Sequence, residues 1–471
     1  MRNLLGLGLC LAIALTTDAM AATLDAGQKA RIRAIVAEAR ATAPAPSTSV
    51  AIVVDGELAY AEVFGLANLD PARPATPETR YDIGSVSKQF TAAAVMLMVQ
   101  DGKLSLDDKV GRFFPTLAGA DKVTIRHLLS HTAGYRNSWQ DTAEARRHSI
   151  TPQTIVERWG AMPLAFEPGS AWDYSNTNYA IAGRIVEVAS GQPLDQVLTA
   201  RIFKPLGMTS AVDNETVAPT ALDATRYTRN LLGPARLIEP AANGWAFGAG
   251  GLSMTAGDLA RWDASVIRRT LLAPSSYDAM MRETTLTTGK GAGYGLGLYV
   301  DGVPGHRRVY HNGFAPGVIT ENRIYPDDGV AVVVTVNAEF GMAVPEIADG
   351  IEKLLLPVAF PKPDTYGEGE KIAKPPSALI RRYVAQLRAG RIDRRRLTSE
   401  TSAYFTPEVL ADYRDSLARL GSPTQFVVVR EERIDNTDGT VFEMNWPNQK
   451  VIGAIRVRAD GKIADLWLMA F

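Results

Sequence analysis

The order of apolar and polar residues predicts a helix and a β-hairpin at the start of a first folded unit. Apolar residues recur at helical spacing in the charged stretch 24–41, which predicts an amphipathic helix. Two apolar runs, 49–54 and 58–64, then flank Asp55-Gly56. That dipeptide between alternating apolar runs is typical of a tight turn joining antiparallel strands.

The middle of this unit is mostly helical, and strand patterns return near its end. From Lys88 to about Met281 the chain alternates helical segments with loops, and a helix is predicted near residues 344–356. Strand signals return at residues 294–300, 308–311, 318–325 and 330–336. This order predicts an α/β (α+β) fold: one antiparallel sheet flanked by helices, with a helical subdomain beside it.

A proline-rich stretch predicts a boundary and a second unit. Residues 358–376 combine prolines with a Gly-Glu-Gly-Glu run, a composition typical of a linker. Beyond it the pattern predicts two helices and four strands, at residues 377–389, 406–421, 425–430, 440–445, 451–457 and 463–469. We therefore expect a first unit at residues 22–357 and a small accessory α+β unit at residues 377–471.

The first residues are typical of a secretory signal peptide. Arg2 supplies a positive charge, an apolar run follows from Leu4 to Leu15, and Ala19-Met20-Ala21 is a small-x-small cleavage site. The run is shorter than the roughly 20 apolar residues that a transmembrane helix needs. We therefore expect residues 1–21 to be removed, which leaves an exported protein, periplasmic or secreted, with no membrane span.

Composition and charge restrict the partners. Of 471 residues, 46% are hydrophobic and 21% are charged, and the formal net charge is -1. This balance is ordinary for a globular protein and predicts neither a nucleic-acid nor an anionic-membrane partner. The single cysteine, Cys10, lies inside the predicted signal peptide, and no His-Glu-x-x-His motif is present. No metal site and no cofactor is therefore predicted.

The main chemical signal lies where a polar loop meets an apolar helix. Ser85 and Lys88 stand at the start of a strong helix former that ends at Asp101-Gly102, so their side chains are expected on one helix face. A serine hydroxyl needs a base to become a nucleophile, and a lysine can be that base when burial lowers its pKa. The alternative is an ordinary N-cap serine with a solvated lysine, since Ser-x-x-Lys also occurs by chance.

A second fragment, Tyr174-Ser175-Asn176, precedes a predicted helix. A tyrosine beside a buried lysine can pass a proton to a leaving group, and we expect its pKa to fall near a positive charge. Asn176 can hold Lys88 in place or bind a substrate amide. The alternative is a packing tyrosine, and Tyr135-Arg136-Asn137 fits the same pattern. The flanking residues and the spacing from Ser85 favour Tyr174.

A third fragment, His311-Asn312-Gly313, ends a predicted strand. Gly313 would let a substrate backbone approach the strand closely. His311 could donate to a developing anion or contact a substrate carboxylate. By itself, a histidine in this position is more readily explained as a core or surface residue.

Seven motifs occur in a fixed order: Ser85-Val86-Ser87-Lys88, HLLSHTAG at residues 127–134, Tyr174-Ser175-Asn176, Lys204-Pro205-Leu206-Gly207-Met208, Gly250-Gly251-Leu252, Tyr294-Gly295-Leu296-Gly297 and His311-Asn312-Gly313. With these motifs, residues 25–357 resemble the serine β-lactamase and penicillin-binding-protein superfamily. The branch is that of class C β-lactamases, DD-carboxypeptidases, D-aminopeptidases and esterases. The resemblance does not extend to the second unit.

The resemblance implies a role for each matching residue. Ser85 would be the acylated nucleophile, Lys88 its base partner and Tyr174 the proton shuttle, and which of the last two takes the first proton stays open. The orienting and substrate-lining residues would be Asn176, His311 and Gly313. The oxyanion hole would be the backbone N–H groups of Ser85 and Phe314, while His127 and His131 would be structural.

We therefore expect a serine hydrolase that forms an acyl-enzyme on Ser85 and cleaves an ester or an amide in a small molecule or short peptide. D-amino-acid peptides, small esters and, weakly, β-lactams are the candidate substrates. Class C β-lactamases carry Lys-Thr-Gly where this chain has His311-Asn312-Gly313, and a neutral histidine attracts a β-lactam carboxylate less than an ammonium does. The alternative is a catalytically silent penicillin-binding-protein-like sensor of cell-wall fragments. The oligomeric state is not predicted.

Overall fold

The computed structural model describes residues 23–141, 145–340, 343–361, 374–434 and 437–470. The predicted signal peptide lies outside these residues, as do residues 362–373 of the predicted linker. The division of the chain at residues 357 and 377 therefore stays a prediction. Within the described ranges, no helix combines the length and the apolar character needed to cross a membrane.

Helices and strands alternate along both units. The described helices are α1 (Ala26–Thr42), α2 (Lys88–Gln100), α3 (Ile125–Leu129), α4 (Pro152–Gly160), α5 (Asn176–Ser190), α6 (Leu194–Leu198), α7 (Ala256–Arg268), α8 (Pro274–Met280), α9 (Ala343–Leu355), α10 (Ala378–Arg388), α11 (Ser399–Tyr404) and α12 (Pro407–Leu420). The described strands are β1 (Ser47–Val54), β2 (Glu57–Leu69), β3 (Ala72–Pro74), β4 (Tyr81–Asp82), β5 (Val212–Asp213), β6 (Tyr227–Thr228), β7 (Arg236–Leu237), β8 (Leu252–Met254), β9 (Tyr299–Val303), β10 (His306–Ala315), β11 (Val318–Tyr325), β12 (Val330–Val336), β13 (Gln425–Ile434), β14 (Thr437–Trp446), β15 (Gln449–Arg458) and β16 (Ile463–Ala470).

The first unit is built on a seven-stranded antiparallel sheet in the order β3-β2-β1-β12-β11-β10-β9. The predicted hairpin joins β1 to β2, and its turn residues Asp55 and Gly56 adopt φ values of 51° and 73°. Positive φ at both central positions matches the twist of the flanking strands, which explains the Asp-Gly pair. The N-terminal and C-terminal strands of the unit therefore meet at the centre of one sheet.

Helices cover both faces of this sheet. Along β1, Val50 and Ile52 lie in one core cluster with residues of α1 and α9. Ala51 and Val53, which point to the opposite face, lie in a second cluster with residues of α2, α5 and α7. The described fold is thus an antiparallel sheet between helical layers, and the predicted fold class is confirmed.

One predicted strand is wrong over most of its length. The pattern predicts a strand at residues 294–300, but β9 begins at Tyr299. Gly297 has a φ of 83°, and a Cβ on it would lie 3.0 Å from the Lys88 carbonyl oxygen. The segment before Tyr299 is therefore a loop that packs closely against the start of α2, since only glycine fits there.

Residues 374–470 form a four-stranded antiparallel sheet in the order β13-β14-β15-β16, with a core of its own. Helix α12 begins after Thr406, whose side chain accepts a hydrogen bond from the Val409 amide, and ends at Gly421. These are the boundaries that the sequence predicts. The core of this unit also includes Leu231, a residue of the first unit.

Candidate active site

Ser85 lies in a single 3-10 turn, Gly84–Ser87, that leads directly into α2. Gly84 adopts a φ of 49°, and its N–H donates to Asp82 Oδ1 at 2.6 Å. This bond fixes the backbone just before the serine. The residue at the N-cap of α2 is Ser87, and its side chain makes no capping hydrogen bond. Ser85 is therefore not held in the manner of an ordinary helix cap.

Lys88 is completely buried beside Ser85. Its Nζ lies 3.0 Å from Ser85 Oγ and 2.6 Å from the carbonyl oxygen of Ala249. Burial lowers the pKa of Lys88 well below its ordinary value, because an ammonium loses hydration in an apolar surrounding. A neutral amine in hydrogen-bond contact with a serine hydroxyl can accept its proton.

Tyr174 lies just before α5, and its ring faces the same lysine. The Nζ of Lys88 lies 4.8 Å from the centre of the Tyr174 ring. The Tyr174 hydroxyl is enclosed and makes no hydrogen bond of ordinary geometry to a described residue. Burial raises the pKa of Tyr174 well above its ordinary value, and the neighbouring Ser85 hydroxyl opposes part of this effect. The expected fall in its pKa is therefore wrong, because burial dominates.

The ring of His131 packs against the ring of Tyr174. The two rings lie 4.3 Å apart between centroids, and His131 Nδ1 accepts a hydrogen bond from the Ser175 amide at 3.2 Å. Burial holds the pKa of His131 well below its ordinary value, so the ring is neutral. With Nδ1 accepting, the ring proton is on Nε2. His131 thus packs directly against the tyrosine of the candidate site.

Asn176 is the first residue of α5, and it does not contact the lysine in the predicted way. The hydrogen bonds of Lys88 go to Ser85 and Ala249. The Asn176 amide N–H donates to Asn137 Oδ1 at 3.1 Å. Its own side-chain Oδ1 is buried without a partner among the described residues. This carbonyl is an unused acceptor beside Tyr174.

The hydrogen bonds of His311 determine which ring nitrogen carries the proton. Nδ1 lies 2.7 Å from the Asn312 carbonyl oxygen, which can only accept, so Nδ1 is the donor. Nε2 lies 3.0 Å from the Tyr294 hydroxyl and accepts from it. Burial, reinforced by nearby Lys88, lowers the pKa of His311 to about 3. In this arrangement His311 offers a substrate neither a positive charge nor a spare N–H group.

Gly313 brings β10 into contact with the turn that carries Ser85. A Cβ on Gly313 would lie 1.9 Å from the Ile83 carbonyl oxygen. A Cβ on Gly84 would lie 2.9 Å from the Phe314 backbone nitrogen. The two glycines therefore bring the Phe314 amide beside the Gly84–Ser87 turn, as an oxyanion hole of two backbone N–H groups requires.

The same stretch of β10 provides a binding edge. Strand β9 pairs with β10 only as far as Tyr310, opposite Tyr299. Residues 311–315 continue to pair with β11 on the other side. In the described sheet, an extended substrate could therefore lie along residues 311–315 as an added strand.

The sequence does not reveal several groups at this site. The Ala249 carbonyl is a backbone atom, and the glycines that follow it are the only trace of it in the sequence. Trp172 and Tyr299 lie 6.2 Å apart between ring centroids, and Tyr299 lies 5.2 Å from His311. Together with Tyr174 they line the site with aromatic rings. The described residues contain no group of three or more His, Cys, Asp or Glu that could hold a metal ion.

Comparison with known proteins identifies the family. The family model described as Beta-lactamase matches residues 32–355, which is more than half of the chain. The chain belongs to the beta-lactamase family. The resemblance carried by the seven motifs is thereby confirmed, and the protein is a serine hydrolase of this family.

Two proteins with different names are similar to this chain. Penicillin-binding protein 4 of Amycolatopsis lactamdurans is 30% identical over 331 residues, which cover 65% of this chain and 84% of that protein. The D-aminopeptidase of Brucella anthropi is 28% identical over 303 residues, 62% of this chain and 56% of that protein. The chain thus spans only about half the length of the second relative.

A solved structure matches nearly the whole chain. The octameric penicillin-binding protein homologue from Pyrococcus abyssi is 21% identical, has a TM-score of 0.61 and covers 95% of this chain and 100% of its own. At this identity the likeness concerns the fold alone. It extends beyond the beta-lactamase family match to the four-stranded unit.

Proposed function

We propose that this member of the beta-lactamase family is an exported hydrolase that forms an acyl-enzyme on Ser85. The observation that carries the proposal is the contact between a fully buried lysine amine and the Ser85 hydroxyl at 3.0 Å. Burying an amine without an opposite charge is costly unless it is neutral. A neutral amine in contact with a serine is the arrangement that nucleophilic catalysis requires.

In the proposed reaction, Ser85 Oγ attacks the substrate carbonyl carbon while Lys88 Nζ takes the serine proton. The carbonyl oxygen becomes an anion that the Ser85 and Phe314 N–H groups stabilise. The neutral phenol of Tyr174 gives its proton to the leaving group as the bond to carbon breaks, and recovers one from Lys88. The raised pKa of Tyr174 supports its role as proton donor, and the lowered pKa of Lys88 supports the amine as the first base.

Water completes the cycle. It attacks the Ser85 acyl ester and loses its proton to the Lys88–Tyr174 pair. The acid product leaves, and Ser85 Oγ recovers a proton. Both half-reactions use the same groups in opposite directions, so the enzyme returns to its starting state without a cofactor.

The environment of His311 favours substrates without a carboxylate at this position. The ring is neutral, and both of its nitrogens are engaged by Asn312 and Tyr294. We therefore propose small esters and D-amino-acid amides or peptides as the preferred class, with β-lactams as poor substrates. The D-aminopeptidase relative supports the amide branch of this proposal.

Covalent labelling tests the nucleophile. A fluorescent fluorophosphonate should label the wild type on Ser85 and spare Ser85→Ala. Hydrolysis of p-nitrophenyl acetate should fall by about 10⁴-fold or more in the same variant, as loss of a serine nucleophile does elsewhere. Ser87→Ala is the matched control: Ser87 Oγ lies two residues away and accepts from the Leu252 amide at 3.2 Å, so labelling should persist.

The silent-sensor alternative predicts a different result. In that case the probe would label neither protein, and muropeptides would bind wild type and Ser85→Ala equally without turnover. Equal labelling of wild type and Ser85→Ala would place the nucleophile elsewhere and end the proposal. Export is tested separately, by N-terminal sequencing of the protein from the host's extracytoplasmic fraction, with residue 22 as the expected first residue.

A further inference from the structure

Residues of the C-terminal unit form hydrogen bonds with hairpin β6–β7 of the first unit. Asp412 on α12 is buried, and both of its carboxylate oxygens accept from Arg236, at 2.8 Å and 3.0 Å. Asp412 also accepts from Asn230 Nδ2 at 2.9 Å. One turn along the same helix, Ser416 Oγ accepts from the Leu232 amide at 3.1 Å.

The loop of this hairpin also enters the C-terminal core. Leu231 is 2% exposed and belongs to the core cluster of the C-terminal unit. The Tyr404 hydroxyl of α11 donates to Asn230 Oδ1 at 2.9 Å. A paired buried aspartate and an inserted leucine fix the loop more firmly than surface contacts could, because both are withdrawn from water.

The base of the same hairpin contacts the turn between β10 and β11. Glu339 accepts from the Thr228 hydroxyl at 2.6 Å and from the Gly317 amide at 3.0 Å. Gly317 adopts a φ of 76°, and a Cβ on it would lie 2.5 Å from Arg226 Cβ. The hairpin therefore lies directly against the turn that follows Phe314.

A second connection runs to the serine itself. Arg226, the residue before β6, donates to Asp82 Oδ2 at 2.8 Å, and Asp82 Oδ1 accepts from the Gly84 amide. Gly84 is the residue before Ser85. The hairpin is thus connected to both backbone segments that would supply the oxyanion hole. Arg226 connects it through Asp82 to Gly84, and Glu339 connects it to the turn between β10 and β11.

We propose that the C-terminal unit positions the oxyanion hole of the first unit, with Asp412 and Arg236 as the positioning pair that holds hairpin β6–β7 in place. The inference rests on the proposed function, since it assumes that the Ser85 and Phe314 amides stabilise the reaction's anion. Neither Asp412 nor Arg236 touches the substrate. Their effect is on the geometry of the transition state, so kcat changes and KM does not.

The test is the kinetics of full-length variants with p-nitrophenyl acetate. Asp412→Asn keeps the size of the side chain but removes the charge that orients Arg236, and its kcat should fall about 10-fold with KM within about 2-fold, since a misplacement of about 1 Å costs up to 10²-fold. Asp412→Glu should recover part of this loss. Asp415→Asn is the matched control, because Asp415 lies on the same helix and pairs only with Arg414 in the described contacts.

Tyr404→Phe provides an independent variant that removes one hydroxyl from the junction and keeps the aromatic ring. It should also lower kcat, by a smaller factor than Asp412→Asn. If Asp412→Asn does not fold, the kcat of Tyr404→Phe tests the inference instead. Unchanged kcat in folded Asp412→Asn and Tyr404→Phe, with only the melting temperature lowered, would overturn the inference. Hydrolysis by Ser85→Ala at the wild-type rate would instead contradict the proposed function, so the two failures are distinguishable.

Discussion

At the scale of single residues, the site combines groups that burial has made neutral. Lys88, Tyr174, His131 and His311 are all shifted by burial toward their uncharged forms. At neutral pH the shift of Lys88 is a cost to folding, because the unfolded chain would carry this amine as a hydrated ammonium, whereas a tyrosine is uncharged there in both states. A proton can therefore pass from the Ser85 hydroxyl to the Lys88 amine without prior loss of a hydration shell, because the amine is already neutral and buried.

The pH dependence of kcat/KM should report the lowered pKa of Lys88. In the proposed reaction neutral Lys88 is the active form, so activity should rise with pH through that lowered pKa and level off well below the pH at which an ordinary lysine titrates. The pKa of Tyr174 is raised, so the phenol stays protonated on this plateau. Rates of p-nitrophenyl acetate hydrolysis between pH 5 and 10 test this. A tenfold rise per pH unit between pH 8 and 10 would indicate an ordinary, solvated lysine and contradict the prediction.

Replacing the lysine should change how stability depends on pH. The pKa of Lys88 is lower in the folded than in the unfolded chain, so the unfolded chain binds more protons and wild-type stability rises with pH in that window. Relative to Lys88→Met, the wild type should gain about 1.4 kcal/mol per pH unit between pH 8 and 9. Urea unfolding at several pH values measures this difference.

Lys103→Met serves as the control, because Lys103 is exposed. Its unfolding free energy should follow that of the wild type at every pH. A constant difference between wild type and Lys88→Met from pH 7 to 10 would show that burial does not perturb the lysine.

At the scale of elements, the contact between β10 and the Gly84–Ser87 turn places the Phe314 amide beside the segment that carries Ser85. Two glycines allow this approach, one on each side. The sequence predicts the elements themselves well, because β11 and β12 are rich in β-branched residues and lie between segments with Pro, Gly and Asp that favour turns. It does not predict the loop before Tyr299, where alternating apolar residues and glycines imitate a strand although Gly297 requires a positive φ.

Gly313→Ala should separate β10 from the serine turn. The new Cβ would lie 1.9 Å from the Ile83 carbonyl oxygen, a backbone atom that cannot give way without moving the turn. We expect kcat for an ester substrate to fall about 10²-fold, as loss of a properly placed oxyanion donor does elsewhere. Far-ultraviolet circular dichroism should show that the variant remains folded.

Gly257→Ala is the matched control at a second glycine. It lies in α7, and the nearest atom to its new Cβ would be Thr255 Oγ1 at 3.9 Å. Activity should be unchanged there. Equal activity of Gly313→Ala and wild type would show that the close approach is not required for catalysis.

At the scale of the whole molecule, a residue of the first unit forms part of the core of the second. Leu231 belongs to the first unit in sequence and to the second in packing. Its neighbours in the chain give no sign of this, since a leucine pair in a polar loop fits many environments. The motifs of the first unit are predictable because they carry chemistry at fixed spacing, whereas a contact between units depends on surfaces that no local pattern describes.

Leu231→Ala should therefore destabilise the C-terminal unit although the substitution lies outside it. Removing a buried leucine costs about 2–5 kcal/mol, because a cavity is left behind. Leu237→Ala is the control on the same hairpin, since Leu237 is 67% exposed and surface changes usually stay within about 0.5 kcal/mol. Urea denaturation of both variants measures the difference. Equal stability of the two would show that Leu231 is not part of the C-terminal core.

The glycine contact between β10 and the serine turn also restricts how the enzyme can acquire new substrates. In the proposed reaction the groups that stabilise the anion are main-chain amides, so mutation can shift them but cannot exchange their chemistry. Selectivity must therefore change through the surrounding aromatic side chains, Trp172, Tyr299 and the exposed Phe314. Libraries aimed at altered substrate range should randomise these three positions and leave both glycines untouched.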